Sequence, residues 1–282
     1  MGLKWVCRFA ALGVALVMFA GCGSNGTQHR RDAVNQYIDD VGKAQVDLAG
    51  QQGRIDAALA AFSLTKPTAQ ELAALRRGRA AVDSAVTRVS AVDTPADAAR
   101  LDRLILERLR LQRSLLDELI RTELDAKVLI AVAPKLRAAA IRLRDDLAAI
   151  AAHPSVPKGG SAALLDRYGE AFGRYGDTLR PEVAGLKATD SLLRPTVAEQ
   201  RRAVSWSVDL CDEIRADLKR RDIGSANAAI HTLLALSATL NGPTVRRAQE
   251  AVARSYNAQI ARIAKLEQQI SAERGRLVRT IG

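Results

Sequence analysis

Residues 100–120 read RLDRLILERLRLQRSLLDELI. Leu101, Leu104, Ile105, Leu109, Leu115, Leu116, Leu119 and Ile120 recur at steps of three and four, and arginines and acids fill most of the remaining positions. That period belongs to an α-helix with one apolar face; a strand needs alternation at every second residue. Thr94-Pro95 stands before the stretch as a cap and a proline for the first turn. Pro134 falls inside the continuing pattern with no glycine or polar cap before it. A kink or short break is expected there, after which Leu136, Leu143, Leu147 and Ile150 resume the stripe.

The same period runs outward in both directions. Upstream, Val34, Ile38, Val41, Leu48, Ile55, Leu59 and Phe62 make a heptad-like stripe that Gln45 and Gln52 interrupt. Pro67 closes that helix, and Thr68 with Glu71 forms a capping box for the next, lined by Leu72, Leu75, Val82, Val86 and Val89. Downstream, HPSVPKGG at 153–160 packs two prolines and two glycines into eight residues and reads as a linker. Ser161 caps a helix carrying Leu165, Tyr168, Phe172, Tyr175 and Leu179 on one face, and Pro181 and Pro195 punctuate the stretch after it. A helix over 196–221 ends in Lys219-Arg220-Arg221, cations that complement the helix dipole. A turn at Gly224-Ser225 precedes a short helix over 226–240. Asn241-Gly242-Pro243 restarts the chain in a last helix, with Val252, Ile260, Ile263, Leu266, Ile270 and Leu277 at coiled-coil-like positions.

No segment alternates with period two, so the expected fold is all-α: an antiparallel bundle of six or seven helices of unequal length, the long ones coiled-coil-like. The linker at 153–161 divides it into a first helical half, 34–152, and a second, 162–282, which can also form one continuous bundle.

The amino terminus has a different grammar. Lys4 and Arg8 precede a 12-residue apolar run, Phe9 to Ala20, and small residues end it. As a helix that run spans roughly 18 Å, short of the ~30 Å of a bilayer core, so it reads as a signal peptide over 1–21. The stretch Phe19-Ala20-Gly21-Cys22 resembles the lipobox of bacterial lipoproteins, although Phe19 stands where that family usually has leucine. The resemblance implies cleavage before Cys22, a diacylglyceryl group on its thiol, and attachment to the extracytoplasmic side of the cell membrane. The polar, glycine-containing stretch beyond Cys22 leads to the expectation of a flexible tether over 22–33.

Composition narrows the partners. The chain carries +11, and because residues 1–21 hold two of the 42 basic residues and none of the 31 acids, the remainder carries +9. Attraction to anionic lipid or an acidic envelope polymer is one reading; a charged helix surface is the plainer one, since the basic residues are spread among acids. Nucleic acid is not expected, for the chain reads as exported and has no binding motif for it. Cys211 is the one cysteine beyond the export region, so that part forms no internal disulfide.

A search for chemistry yields little. His29, His153 and His231 lie far apart without partners, and no metal or other cofactor is expected. The acid pairs Asp39-Asp40, Asp117-Glu118 and Asp145-Asp146 occupy adjacent helix positions, which point apart. Cys211 beside Leu210 and Ile214 reads as a small buried residue. Lys158-Gly159-Gly160-Ser161 could cradle an anion at a helix start, but linker plus cap accounts for it. Tyr168, Phe172 and Tyr175 share one helix face; with Trp206 they are candidates to line a pocket for a small apolar or lipid-like ligand, against plain core packing. The leading expectation is a non-enzymatic, lipid-anchored scaffold or interaction protein of the cell envelope, with long helices able to meet a protein partner. The alternative is a helical ligand-binding module.

Overall fold

The structure, a computed structural model, describes residues 25–64, 68–152, 160–187, 189, 191–239 and 243–281. Among them are eight α-helices, one 3₁₀ turn and no strand, so the protein is all-α. The helices are α1 (Asn25–Ala44), α2 (Val46–Ala61), α3 (Ala69–Ser90), α4 (Ala99–Ala152), α5 (Gly160–Gly185), α6 (Arg194–Arg220), α7 (Ile223–Thr239) and α8 (Pro243–Ile281); the 3₁₀ turn is Ala96–Ala98.

The helix count exceeds the expected six or seven because Gln45 divides the first expected helix. Its backbone (φ −101°, ψ 2°) leaves the helical register, and its side-chain amide donates to the Val41 carbonyl at 3.3 Å. The helix also begins earlier than the apolar stripe. Most of the expected tether 22–33 is helical from Asn25 onward, where Arg30 grips Asp97 with bonds of 2.6 and 2.8 Å. Prolines interrupt less than expected. α4 runs 54 residues through Pro134, and α5 runs through Pro181. Both prolines are exposed, and Ile130, whose carbonyl Pro134 leaves without a helical donor, is exposed as well. Thr94 does not cap α4; its hydroxyl donates to the Val92 carbonyl, and Pro95 leads into the 3₁₀ turn. The capping box of Thr68 and Glu71 forms as the sequence implies, each bond 3.1 Å.

The chain folds as two units. The first takes in residues up to Glu123 and those from Ala253 onward, and the second is Leu124–Val252. These bounds differ from the division expected at 153–161. The helical period runs unbroken across both, inside α4 and α8, and residues 153–159 lie outside the described set.

In the first unit, side-chain partners fix the order of the staves. Arg30 meets Asp97, Tyr37 meets Asp102, Gln45 meets Arg108 and Gln52 meets Gln112, so α1 and α2 run alongside α4 in the same direction. α3 runs the other way, with Arg88 on Asp47 and Arg79 on Asp117. So does α8, with Gln259 on Glu118, Arg262 on Glu107 and Arg100 near Glu273. The result is an up-down-up-down bundle. α8 buries Tyr256, Ile263, Ile270 and Leu277 at seven-residue intervals against Leu101, Leu109 and Leu116 of α4 and Leu75 and Val82 of α3. Each such side chain contributes about 1.5–3 kcal/mol when fully buried.

In the second unit, Phe172, Leu210, Cys211, Ile214, Leu218, Ala226, Ala229 and Leu233 form the core between α5, α6 and α7. Glycines set the α5–α6 spacing. A Cβ on Gly176 would stand 3.1 Å from the Cys211 Cβ, and one on Gly173 would stand 3.2 Å from the Arg215 side chain. At the end of α6, Arg221 takes the left-handed conformation (φ 62°). Asp222 then accepts from the Ser225 N–H at 3.0 Å. The turn therefore sits at 221–222, and Gly224 and Ser225 belong to the first turn of α7.

Candidate functional site

The four aromatic residues singled out from the sequence do not form one pocket. Phe172 is buried in the core of the second unit, with Tyr168 and Tyr175 packed partly buried against it. Trp206 lies outside that cluster with 52% of its surface exposed. Burial pushes the Tyr175 phenol above its usual pKa, the neighbouring Cys211 adding to the effect. Tyr175 also borders an open cleft of about 270 Å³ between α4 and α5, lined with Arg142, Asp145, Asp146, Arg174 and Thr178. Arg174 and Asp146 are paired there at 3.0 Å. Ala139, Leu143 and Ala171 line it as well, so its wall is mixed polar and apolar.

Cys22, the expected site of lipid attachment, lies outside the described residues, as do His153, Lys158 and Gly159. His29 and His231 are exposed on α1 and α7. Among the described residues no group of three His, Cys, Asp or Glu side chains is placed to hold a metal ion. Cys211 has no exposed surface, and burial pushes its thiol up to about 12, which keeps it protonated and unreactive. The adjacent acids diverge as helix geometry requires. Asp117 turns to Arg79 of α3, whereas Glu118 accepts from Ser255 and Gln259 of α8. Asp145 pairs with Arg144 and Asp146 with Arg174.

The densest polar arrangement is one the sequence marks only as a flaw in a stripe. Gln45 and Gln52 open a seam through the first unit. Arg108 of α4 donates to the Gln45 side-chain oxygen at 2.7 Å and stands 3.8 Å from Glu267 of α8. Gln112 donates to Gln52 at 3.4 Å, and Gln52 donates to Asp56 at 2.8 Å. Burial lowers the pKa of Arg108 and raises those of Glu267 and Asp56, outweighing the bonds that favour their charged forms. About two helical turns beyond, the buried Tyr37 hydroxyl donates to Asp102 at 3.1 Å, and its pKa is raised chiefly by burial. A seam of this kind fixes which residues face each other across staves whose apolar positions would accept other registers.

A second buried acid organises a connection. Asp125 of α4 has no exposed surface and accepts from the Thr189 N–H at 3.0 Å and the Ser191 hydroxyl at 2.6 Å. Ser191 in turn accepts from the Leu193 N–H, so the approach to α6 is tied to α4. No family model matches the chain, and neither does a curated protein or a solved structure.

Proposed function

We propose that this chain is a lipid-anchored protein of the extracytoplasmic membrane face, whose helices serve as a non-enzymatic scaffold or interaction module. The observation that carries the reading is the lipobox-like Phe19-Ala20-Gly21-Cys22 at the end of a short apolar run that comes after two cations. Two acyl chains on one cysteine hold a protein stably where a single chain does not, at about 0.8 kcal/mol per buried CH₂. Two further facts support it. Among the described residues no helix is long and apolar enough to cross a membrane. The part-buried Arg108 and Glu267 and the buried Asp125 are engaged in contacts between helices and their connections.

Intact-mass analysis of membrane-extracted protein tests the reading. A chain beginning at Cys22 with added acyl mass is expected. Cys22→Ala is expected to release the protein from the membrane fraction. An unmodified chain retaining Met1, free of the membrane, overturns the proposal.

A further inference from the structure

We infer that one end face of the first unit rests on the lipid headgroups of the membrane that holds Cys22; the inference depends on the anchored reading above. The face is built from the first turns of α1, the 3₁₀ turn with the start of α4, and the last turns of α8.

Chain length is the first argument. Gly23 and Ser24 alone separate Cys22 from the start of α1 at Asn25. Three extended residues reach about 10 Å at most. A diacylglyceryl group on the Cys22 thiol keeps that residue at headgroup level, so α1 begins within that distance of the headgroups.

Rigidity is the second. Arg30 holds Asp97 through bonds of 2.6 and 2.8 Å, tying α1 to the 3₁₀ turn. Glu273 takes Arg276 at 2.6 Å and Arg100 at 3.6 Å, tying the end of α8 to the start of α4. Drawing Asn25 to the membrane therefore brings all three elements.

The chemistry of the face is the third. His29 and Arg279 are exposed on it beside the exposed acids Asp32 and Asp93, and Arg30, Arg100 and Arg276, although paired with Asp97 and Glu273, keep exposed guanidinium surface with N–H groups to spare. Guanidinium groups suit phosphate oxygens. Among the described residues of the face, Val278 at 39% is the large apolar side chain exposed near the end of α8, which suits rest on headgroups over insertion. The opposite end of the unit is at the start of α3, beyond Arg79, whose partner Asp117 is already roughly 27 Å along α4 from Ala99.

The test uses the full lipidated protein in phosphatidylglycerol–phosphatidylethanolamine vesicles containing a nickel-chelating headgroup lipid. A nitroxide is placed on Ala96→Cys or Thr280→Cys at the near face, or on Gln70→Cys at the far end. Lipid occupies the Cys22 thiol and Cys211 is buried, so the label goes to the introduced site. Strong relaxation by nickel is expected at positions 96 and 280, with its loss at position 70. A long Gly-Ser insertion between Ser24 and Asn25 is expected to abolish the relaxation at position 96. Equal relaxation at both ends in protein whose Cys22 lipid is verified by mass, or an insertion without effect, overturns the inference and leaves the anchor standing. Absence of lipid on Cys22 removes the anchored reading itself.

Discussion

Removing the carboxylate of Asp125 leaves the Thr189 N–H and the Ser191 hydroxyl without their acceptor beside a side chain with no exposure. Asp125→Ala is expected to cost about 1–3 kcal/mol, read as a lower midpoint in urea unfolding with backbone signals of residues 189–193 most displaced. Asp125→Asn keeps one acceptor and is expected to cost less. Close packing gives an equally local test. A Cβ on Gly78 would stand 2.6 Å from the Ile55 side chain. Gly78→Ala is expected to destabilise by about 1–3 kcal/mol, and to cost less in a chain already carrying Ile55→Ala, which removes both Cγ1 and Cδ1, in a double-mutant cycle on thermal unfolding. Neither residue is conspicuous in the sequence. Asp125 sits among the charges of a charged helix, and its partners lie more than sixty positions away.

At the scale of the element, the apolar stripes were legible because they repeat every three or four residues, and the structure buries Val34, Val41, Leu48, Ile55, Leu101, Leu109 and Ile263 as that spacing implies. Tyr37 and Tyr256 were not, although both are buried in the same core at heptad positions. A tyrosine reads equally well as core or surface, and the hydroxyl acceptor that decides for Tyr37 is on another helix, Asp102. Gln45 and Gln52 were visible as interruptions, but their meaning resides in Arg108 and Gln112, which no local window contains. The seam also makes stability depend on pH. Burial holds the folded Asp56 pKa above its ordinary value of 3.8, so the folded state keeps that proton more tightly than the unfolded chain. The associated stability is full below the ordinary value and is lost as pH rises through the raised one. Asp56→Asn is therefore expected to gain on the parent chain as pH rises from roughly 4 toward 7, in thermal unfolding monitored by circular dichroism. Asp97 and Asp222, lowered chiefly by hydrogen bonds from Arg30 and the Ser225 N–H, act with the opposite sign and weaken the fold toward acid.

Across the whole molecule, the helical class followed from the absence of any two-residue period, whereas the partition into units did not. Proline and glycine placed the expected break at 153–161, although Pro134, Pro181 and Gly224 all lie within helices, and a boundary that falls inside a continuous helix carries no such mark. The partition has a direct test. A chain ending at Val252 keeps all of the second unit and lacks the stave that supplies Tyr256, Ile263, Ile270 and Leu277 to the first. Amide exchange is expected to lose protection around Leu75, Leu101 and Leu109 while retaining it around Phe172 and Ile214. Uniform loss, or none, would contradict two units.

The same topology sets an order of events at birth. Ribosomes deliver α1, α2, α3 and the first half of α4 early, yet their fourth stave follows only after the whole of the second unit. The inserted cassette is complete well before that and can fold on its own schedule. Three staves with an open apolar seam therefore wait for the fourth, and a chain cut short at Val252 leaves that seam uncovered, the kind of surface that favours aggregation.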